Sequence, residues 1–273
     1  MTNVIATVDR SRLASGPQVL ASHRLRRDPA DMPVGRALLV IADIGGYTPF
    51  MRLHRTSLAH AQDVVARLLE AMIDAAPHLT LLEVEGDAAF LYAWTGEDQE
   101  ASTVRAAVDQ MVAMHRAFHA CQQHIDALNI CRCEGCRQAD RLRVKFVAHL
   151  GEVAVQQVKR LSKLAGLDVI LVHRMLKNTV PIPEYLLLSE AVFRRVDDRV
   201  RSRGQALEQE LEGLGIVPTY FIDLAEIAGD AQPEPEVTAL GRFRENLGVV
   251  LRSLPYLLGL KRPRFAAGGL TAD

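Results

Sequence analysis

Apolar and polar positions along this chain follow three rhythms. Leu38 to Ala42 is an unbroken apolar run, the mark of a strand buried on both faces, with Asp43 at its carboxyl end. Leu142 to Gly151 instead alternates apolar with polar, which predicts a strand with one half-solvated face, and Glu152 to Val158 is placed to continue it past a bend at Gly151. A helical period appears in His60 to Ala76, where Val64, Leu68, Leu69, Met72 and Ile73 share one face and Pro77 ends the segment. Residues 79 to 94 read as a hairpin turning at Gly86-Asp87. Gly96-Glu97-Asp98 opens a second long helix whose Met and aromatic stripe, from Val104 to Phe118, is core packing. Asp168 to Asn178 is expected as a helix stopped by Pro181 and Pro183, and Tyr185 to Ser189 and Thr219 to Leu224 as strands.

These elements divide the chain. Residues 1–36 mix Ser, Arg, Asp and Pro without period and read as a disordered arm; 37–226 form one folded domain; 227–238, rich in Pro and acid, are a linker. Residues 239–273 carry an apolar helix, Leu240 to Leu260, edged by arginines. Docking on the domain is its default reading, with a partner or a membrane surface as the others.

With 273 residues, 49% hydrophobic and 24% charged, the chain has ample material for a core. A net charge of −1 gives no basic field to gather nucleic acid, so none is expected as a partner. The longest apolar run, Leu247 to Leu260, is interrupted by Arg252 and Pro255 and is too short to span a bilayer. With no leader-like start either, a cytoplasmic location is expected.

Asp43 lies where a sheet opens to ligands, followed by Gly45 and Gly46, whose turn can present amides to phosphate, and by Tyr47 and Thr48. Two readings stand side by side: the carboxylate holds a divalent cation, or it caps the next helix. A hairpin beside the first strand brings Asp87 close. Two carboxylates with no basic neighbour in sequence repel unless one is protonated or a cation lies between them, and the cation is the easier solution. The four cysteines, Cys121, Cys131, Cys133 and Cys136, cluster within and just before a loop at 129–138. Zinc completed by Cys121, His119 or His124 competes with free or redox-active thiols and with an iron–sulfur cluster. His149, a lone histidine beside a glycine on a strand, is read as a hydrogen-bonded core residue.

From about residue 37 to 225 the sequence resembles the class III nucleotide cyclase homology domain, and within it a bacterial branch of uncharacterised cyclase-like proteins with an added cysteine cluster. The motifs are Asp43-Ile44-Gly45-Gly46-Tyr47-Thr48, Gly86-Asp87, His149-Leu150-Gly151 and the segment Gly166 to Leu176. The resemblance implies an α/β (α+β) ferredoxin-like cyclase fold, with a mostly antiparallel sheet and helices packed on one face. It implies a two-ion Mg or Mn site formed by Asp43, Ile44 and Asp87, and a nucleoside triphosphate bound at Gly45, Gly46, Tyr47, Thr48, Glu83 and Lys163. Arg174 falls on the arginine that stabilises the transferring phosphate. Ile170 falls where those cyclases carry the ribose-orienting Asn, and hydrocarbon makes no hydrogen bond. Glu83 and Lys163 match base-reading positions in a guanine-like pattern, or else pair with each other. A head-to-tail homodimer is implied, with Arg174 reaching the partner's site. Three functions stay open: a divergent cyclase, a nucleotide- or metal-sensing regulator, and a partner-binding scaffold.

Overall fold

The computed structural model describes residues 34–53, 58–128, 136–158 and 161–229. In chain order these form strand β1 (Val34–Gly45), helices α1 (Tyr47–Leu53) and α2 (Leu58–Asp74), the hairpin β2 (Thr80–Glu85) and β3 (Ala88–Trp94), and the long helix α3 (Glu100–Leu128). Then come β4 (Arg143–Val158), β5 (Leu161–Ala165), α4 (Leu167–Met175), β6 (Tyr185–Ser189), the short α5 (Glu190–Phe193) and α6 (Asp198–Arg201), the hairpin β7 (Gln205–Leu211) and β8 (Gly215–Asp223), and α7 (Leu224–Ala228). One sheet runs β2-β3-β1-β4-β6-β8-β7, with β5 paired to the far end of β4. It is mostly antiparallel, as expected; β4 and β6 form the parallel pair.

The apolar run of β1 is explained by its place between β3 and β4. Ala37 to Ala42 are at most 1% exposed. Leu38, Val40, Ala42 and Ile44 face a core built with α2 and α3, whereas Ala37, Leu39 and Ile41 face a second core on the other side. Helices α2, α3, α5, α6 and α7 contribute to the first core. Helix α4 is the exception to helices on one face, because Val172 and Met175 pack into the second core.

Several expectations are corrected. Strand β1 starts at Val34, inside the segment assigned to the arm, and α7 runs through Ala228, inside the assigned linker. Strand β4 passes Gly151 unbroken. Within Leu142 to Gly151 half-buried Lys145 and buried His149 turn toward the second layer and find partners there, whereas Glu152, Gln156 and Gln157 further along β4 are exposed. Strands β5 and β7 carry too little periodicity to be read from sequence; β7 is created by pairing with β8 around a turn in which Gly213 and Gly215 take φ of 72° and 77°. Residues 1–33, 129–135 and 230–273, with the arm, most of the cysteine loop and the carboxyl-terminal helix, lie outside the described residues.

An ion cluster ties β1 to the helical layer. The Glu100 side chain, 6% exposed, is bonded to Arg36 Nε and lies 2.5 Å from Arg195 Nη2. Burial opposes its ionisation, but the two guanidinium groups outweigh burial and hold its pKa below the usual carboxylate range. A depressed folded pKa gives stability that is present above the ordinary pKa and lost as pH falls through the folded one. Glu100→Ala leaves two facing cations and should cost about 2 kcal/mol at pH 7, at the low end for a broken buried pair because both arginines are part-exposed. The cost should be smaller at about pH 3.5, below the ordinary glutamate pKa of about 4.3 and nearer the lower folded one. Urea midpoints at the two pH values measure it, and equal midpoints at pH 7 would remove the cluster's stabilising role.

Candidate functional site

Register brings the two acids together. Asp43 sits opposite Ala88 on β3 and opposite Lys145 on β4. Asp87 occupies the turn before Ala88, where Gly86 takes φ of 63°, and its carbonyl accepts from Ile44 N at 3.1 Å. The side chain of Asp43 shares the parity of Leu39 and Ile41 and so belongs to the second face. Burial, then the charge of Asp43, push the Asp87 carboxyl upward, while its backbone hydrogen bond and Lys145 act the other way.

The basic neighbour that the sequence did not reveal is Lys145, whose Nζ lies 3.0 Å from Asp43 Oδ2. Burial opposes its charge, and the Asp43 carboxylate more than compensates and raises its pKa. Lys145 is 102 residues from Asp43 by numbering, and only antiparallel pairing of β1 with β4 joins them. The Ile44 side chain is 1% exposed in the first core, which leaves only its backbone carbonyl as an oxygen donor to a cation. Gly46, at φ of 83°, turns the chain into α1 and accepts from Phe50 N at 3.1 Å. Tyr47 Oη accepts from Gln62 Nε2 at 3.2 Å, and Thr48 is exposed.

Glu83 on β2 and Lys163 on β5 do converge, as an ion pair of 3.0 Å with side chains 27% and 52% exposed. Their hydrogen bond and attraction raise the Lys163 pKa. This mutual pairing is one of the two readings that the sequence offered for them.

Helix α4 carries Ile170, 47% exposed, and one turn later Arg174. The Arg174 guanidinium lies against the β7–β8 turn, 3.2 Å from where a Cβ on Gly213 would stand. The two polar neighbours of Ile170 on this segment, His173 and Asp168, are engaged elsewhere. His173 packs edge-on against Phe90, ring centroids 4.9 Å apart. Asp168 accepts from His149 Nε2 at 2.9 Å and from Glu152 N at 2.6 Å, and His149 Nδ1 accepts from Ser189 Oγ at 2.9 Å. The His149 bond, against opposing burial, lowers the Asp168 pKa. His149 is thus the hydrogen-bonded core residue expected. Gly151 is required beside this network, since a Cβ there would stand 2.2 Å from Asp168 Cγ.

Of the cysteines, Cys121 is the one whose side chain is described. It is half-buried, with Sγ 3.6 Å from Arg67 O, and burial raises its thiol pKa. Cys131 and Cys133 lie outside the described residues, and Cys136 is placed only as the start of a short 3-10 turn. His119, one of three residues offered as a fourth zinc ligand, is engaged with Glu184 at 2.9 Å.

Comparison with known proteins follows this geometry. A family model described as "Protein of unknown function (DUF2652)" matches residues 65–185. The "Uncharacterized protein Rv2561/Rv2562" of Mycobacterium tuberculosis is 42% identical over 199 residues, 72% of this chain and 91% of that protein. Among solved structures, the adenylyl cyclase CyaB from P. aeruginosa aligns over 75% of this chain and 99% of its own, with TM-score 0.55 and 15% identity. The guanylyl cyclase Cya2 aligns over 70% and 93%, with TM-score 0.54 and 16% identity. A class III adenylyl cyclase-like ATP-binding protein from Pseudomonas aeruginosa aligns over 65% of this chain and 39% of its own, at TM-score 0.51 and 15% identity. At these identities the likeness establishes the fold: this chain has the architecture of nucleotide cyclase domains. No described helix is long and apolar enough to cross a membrane.

Proposed function

Because the chain belongs to the same family as the uncharacterised Mycobacterium tuberculosis protein and has the nucleotide cyclase fold, we propose that it binds a purine nucleoside triphosphate with a divalent cation at Asp43 and Asp87. The observation that carries this reading is the juxtaposition of two carboxylates, one with its pKa raised by burial and by the other's charge, at a strand end beside a glycine turn. Carboxylate and carbonyl oxygens are the donors that Mg²⁺ and Mn²⁺ favour, so the residues fit such an ion. When bound, the ion supplies charge neutralisation for the triphosphate.

Lys145 gives this site its own character. Its ammonium pairs with the carboxylate that would face a cation, so an incoming ion competes with it. Once displaced, Lys145 becomes a point charge for phosphate. Glu83 accepts from guanine N1 and N2, and Lys163 donates to O6, after their mutual pair opens. Arg174, contributed by a second copy in a head-to-tail dimer, meets the phosphates. Turnover is slow, because Ile170 gives the ribose no hydrogen bond and both Asp168 and His173 are held elsewhere.

Calorimetry with Mn²⁺ and GTP or ATP tests the reading. GTP is expected to bind only with Mn²⁺ present, more tightly than ATP, by about tenfold, a preference that Glu83→Ala abolishes. Failure of both nucleotides to bind in the presence of Mn²⁺ would overturn it.

A further inference from the structure

Helix α3 places His115 and His119 one turn apart, on the face that meets the segment entering β6. Glu184, the residue before β6, shares the parity of Leu186 and Leu188 and so points to the same first layer. One ligand atom from each of the three residues lies within 4.8 Å of the others. His119 Nε2 is 2.9 Å from Glu184 Oε1, and His115 Nε2 is 3.6 Å from Glu184 Oε2.

The hydrogen-bond inventory says what belongs between them. Gln122 Nε2 donates to the carbonyls of Ala139 and Leu142, at 2.5 and 3.1 Å, which uses both amide protons. Its Oε1, 3.0 Å from His119 Nδ1, must therefore accept, and His119 carries its proton on Nδ1. That leaves the Nε2 lone pair of a neutral His119 aimed at a carboxylate. Two lone pairs at this distance repel, so a positive centre is shared there, either a proton or a metal ion.

His115 separates the two. Both of its ring nitrogens are buried and make no hydrogen bond of ordinary length; its Nε2 stands 3.6 Å from Glu184 Oε2, near enough to help His119 hold the Glu184 carboxyl well below the usual range against burial, yet too far to be satisfied by it. A proton on His119 leaves His115 as it is; an ion among the three ligands satisfies its Nε2 as well. Tetrahedral zinc at ordinary bond lengths holds its ligand atoms about 3.3 Å apart, and a single oxygen, Glu184 Oε2, lies 3.2 Å from His119 Nε2 and 3.6 Å from His115 Nε2. The surroundings are those of ligands already oriented, with Gln122 fixing one imidazole and Val144 N donating to Glu184 Oε1 at 3.1 Å.

We propose that His115, His119 and Glu184 bind one zinc-class divalent ion, which clamps α3 to the β4–β6 side of the sheet. Two imidazoles favour Zn²⁺ or Co²⁺ over Mg²⁺, and this site is on the opposite face of the sheet from Asp43. Side-chain exposures of 12%, 28% and 19% leave room for a solvent ligand in the fourth position.

The cysteine loop must be silenced for a clean test. The full chain carrying Cys131→Ser, Cys133→Ser and Cys136→Ser should take up about one equivalent of Co²⁺ with a low-symmetry visible spectrum and no thiolate-to-cobalt charge-transfer band. Glu184→Gln in that background should weaken uptake by at least about a hundredfold. Failure to take up cobalt, a thiolate band, or unchanged affinity in Glu184→Gln would overturn the proposal. Should Glu184→Gln fail to fold, zinc-edge X-ray absorption of the triple serine protein decides: two imidazoles with oxygen support the site, and sulfur or fewer imidazoles refute it. None of these outcomes depends on nucleotide binding.

Discussion

Asp87→Asn is expected to weaken Mn²⁺-dependent nucleotide binding by about a hundredfold or more and, at pH 7, to raise the melting temperature of the metal-free protein. The two effects share one cause. In the fold, burial and then the neighbouring Asp43 raise the Asp87 pKa, so its charged form is disfavoured relative to the unfolded chain. For a carboxylate shifted upward, stability falls as pH rises from the ordinary pKa through the folded one, and the penalty is complete above both. Asparagine keeps the shape and the backbone carbonyl that accepts from Ile44, and removes the charge. The gain in melting temperature should therefore vanish near pH 3, where the wild-type carboxyl, its pKa held above the ordinary value, is itself protonated.

Asp43→Asn should lose nucleotide binding equally and yet lower the melting temperature, because it takes from half-buried Lys145 the carboxylate that pairs with it. Opposite stability effects from two neighbouring Asp→Asn changes are difficult to obtain unless both charges share one pocket. Thermal unfolding at pH 3 and 7, together with calorimetry, measures all of this. Unchanged Mn²⁺-nucleotide affinity in Asp87→Asn would remove the acids from the binding reading and leave them as parts of an ion-pair cluster.

Ile170→Asn is expected to raise cyclic nucleotide formation from a near-absent level by about a hundredfold, the usual worth of one well-placed polar contact in a transition state. Ile170 is 47% exposed on α4, so the change should disturb packing little. The gain should disappear when Arg174→Ala is added, since orienting the ribose is useless without charge stabilisation at the phosphate. Products resolved by mass spectrometry after incubation with Mn²⁺ and GTP give the readout. Robust cyclisation by the unmodified protein, lost on Arg174→Ala, would mean that another group orients the ribose and that Ile170 is no obstacle.

The sequence by itself determined the parts whose local pattern matches their final environment. The unbroken run ending at Asp43 could only be a strand covered on both faces, and β1 lies between two strands with a core on each side. Gly86-Asp87 announced a tight turn between two strands, and the helical stripes of α2 and α3 announced the first core, because these signals need nothing beyond neighbours a few residues away. Tertiary structure decided what depended on distant partners. Alternation in β4 reads as half-solvated only while the second layer is unknown; α4 packs on it, and half-buried Lys145 and buried His149 become the partners of Asp43 and Asp168. Strand β7 exists because β8 supplies its hydrogen bonds. Nor does any local pattern relate Glu184 to His115 and His119, which are 69 and 65 positions away by numbering; a helix face and a strand parity meet there only when α3 lies across the sheet.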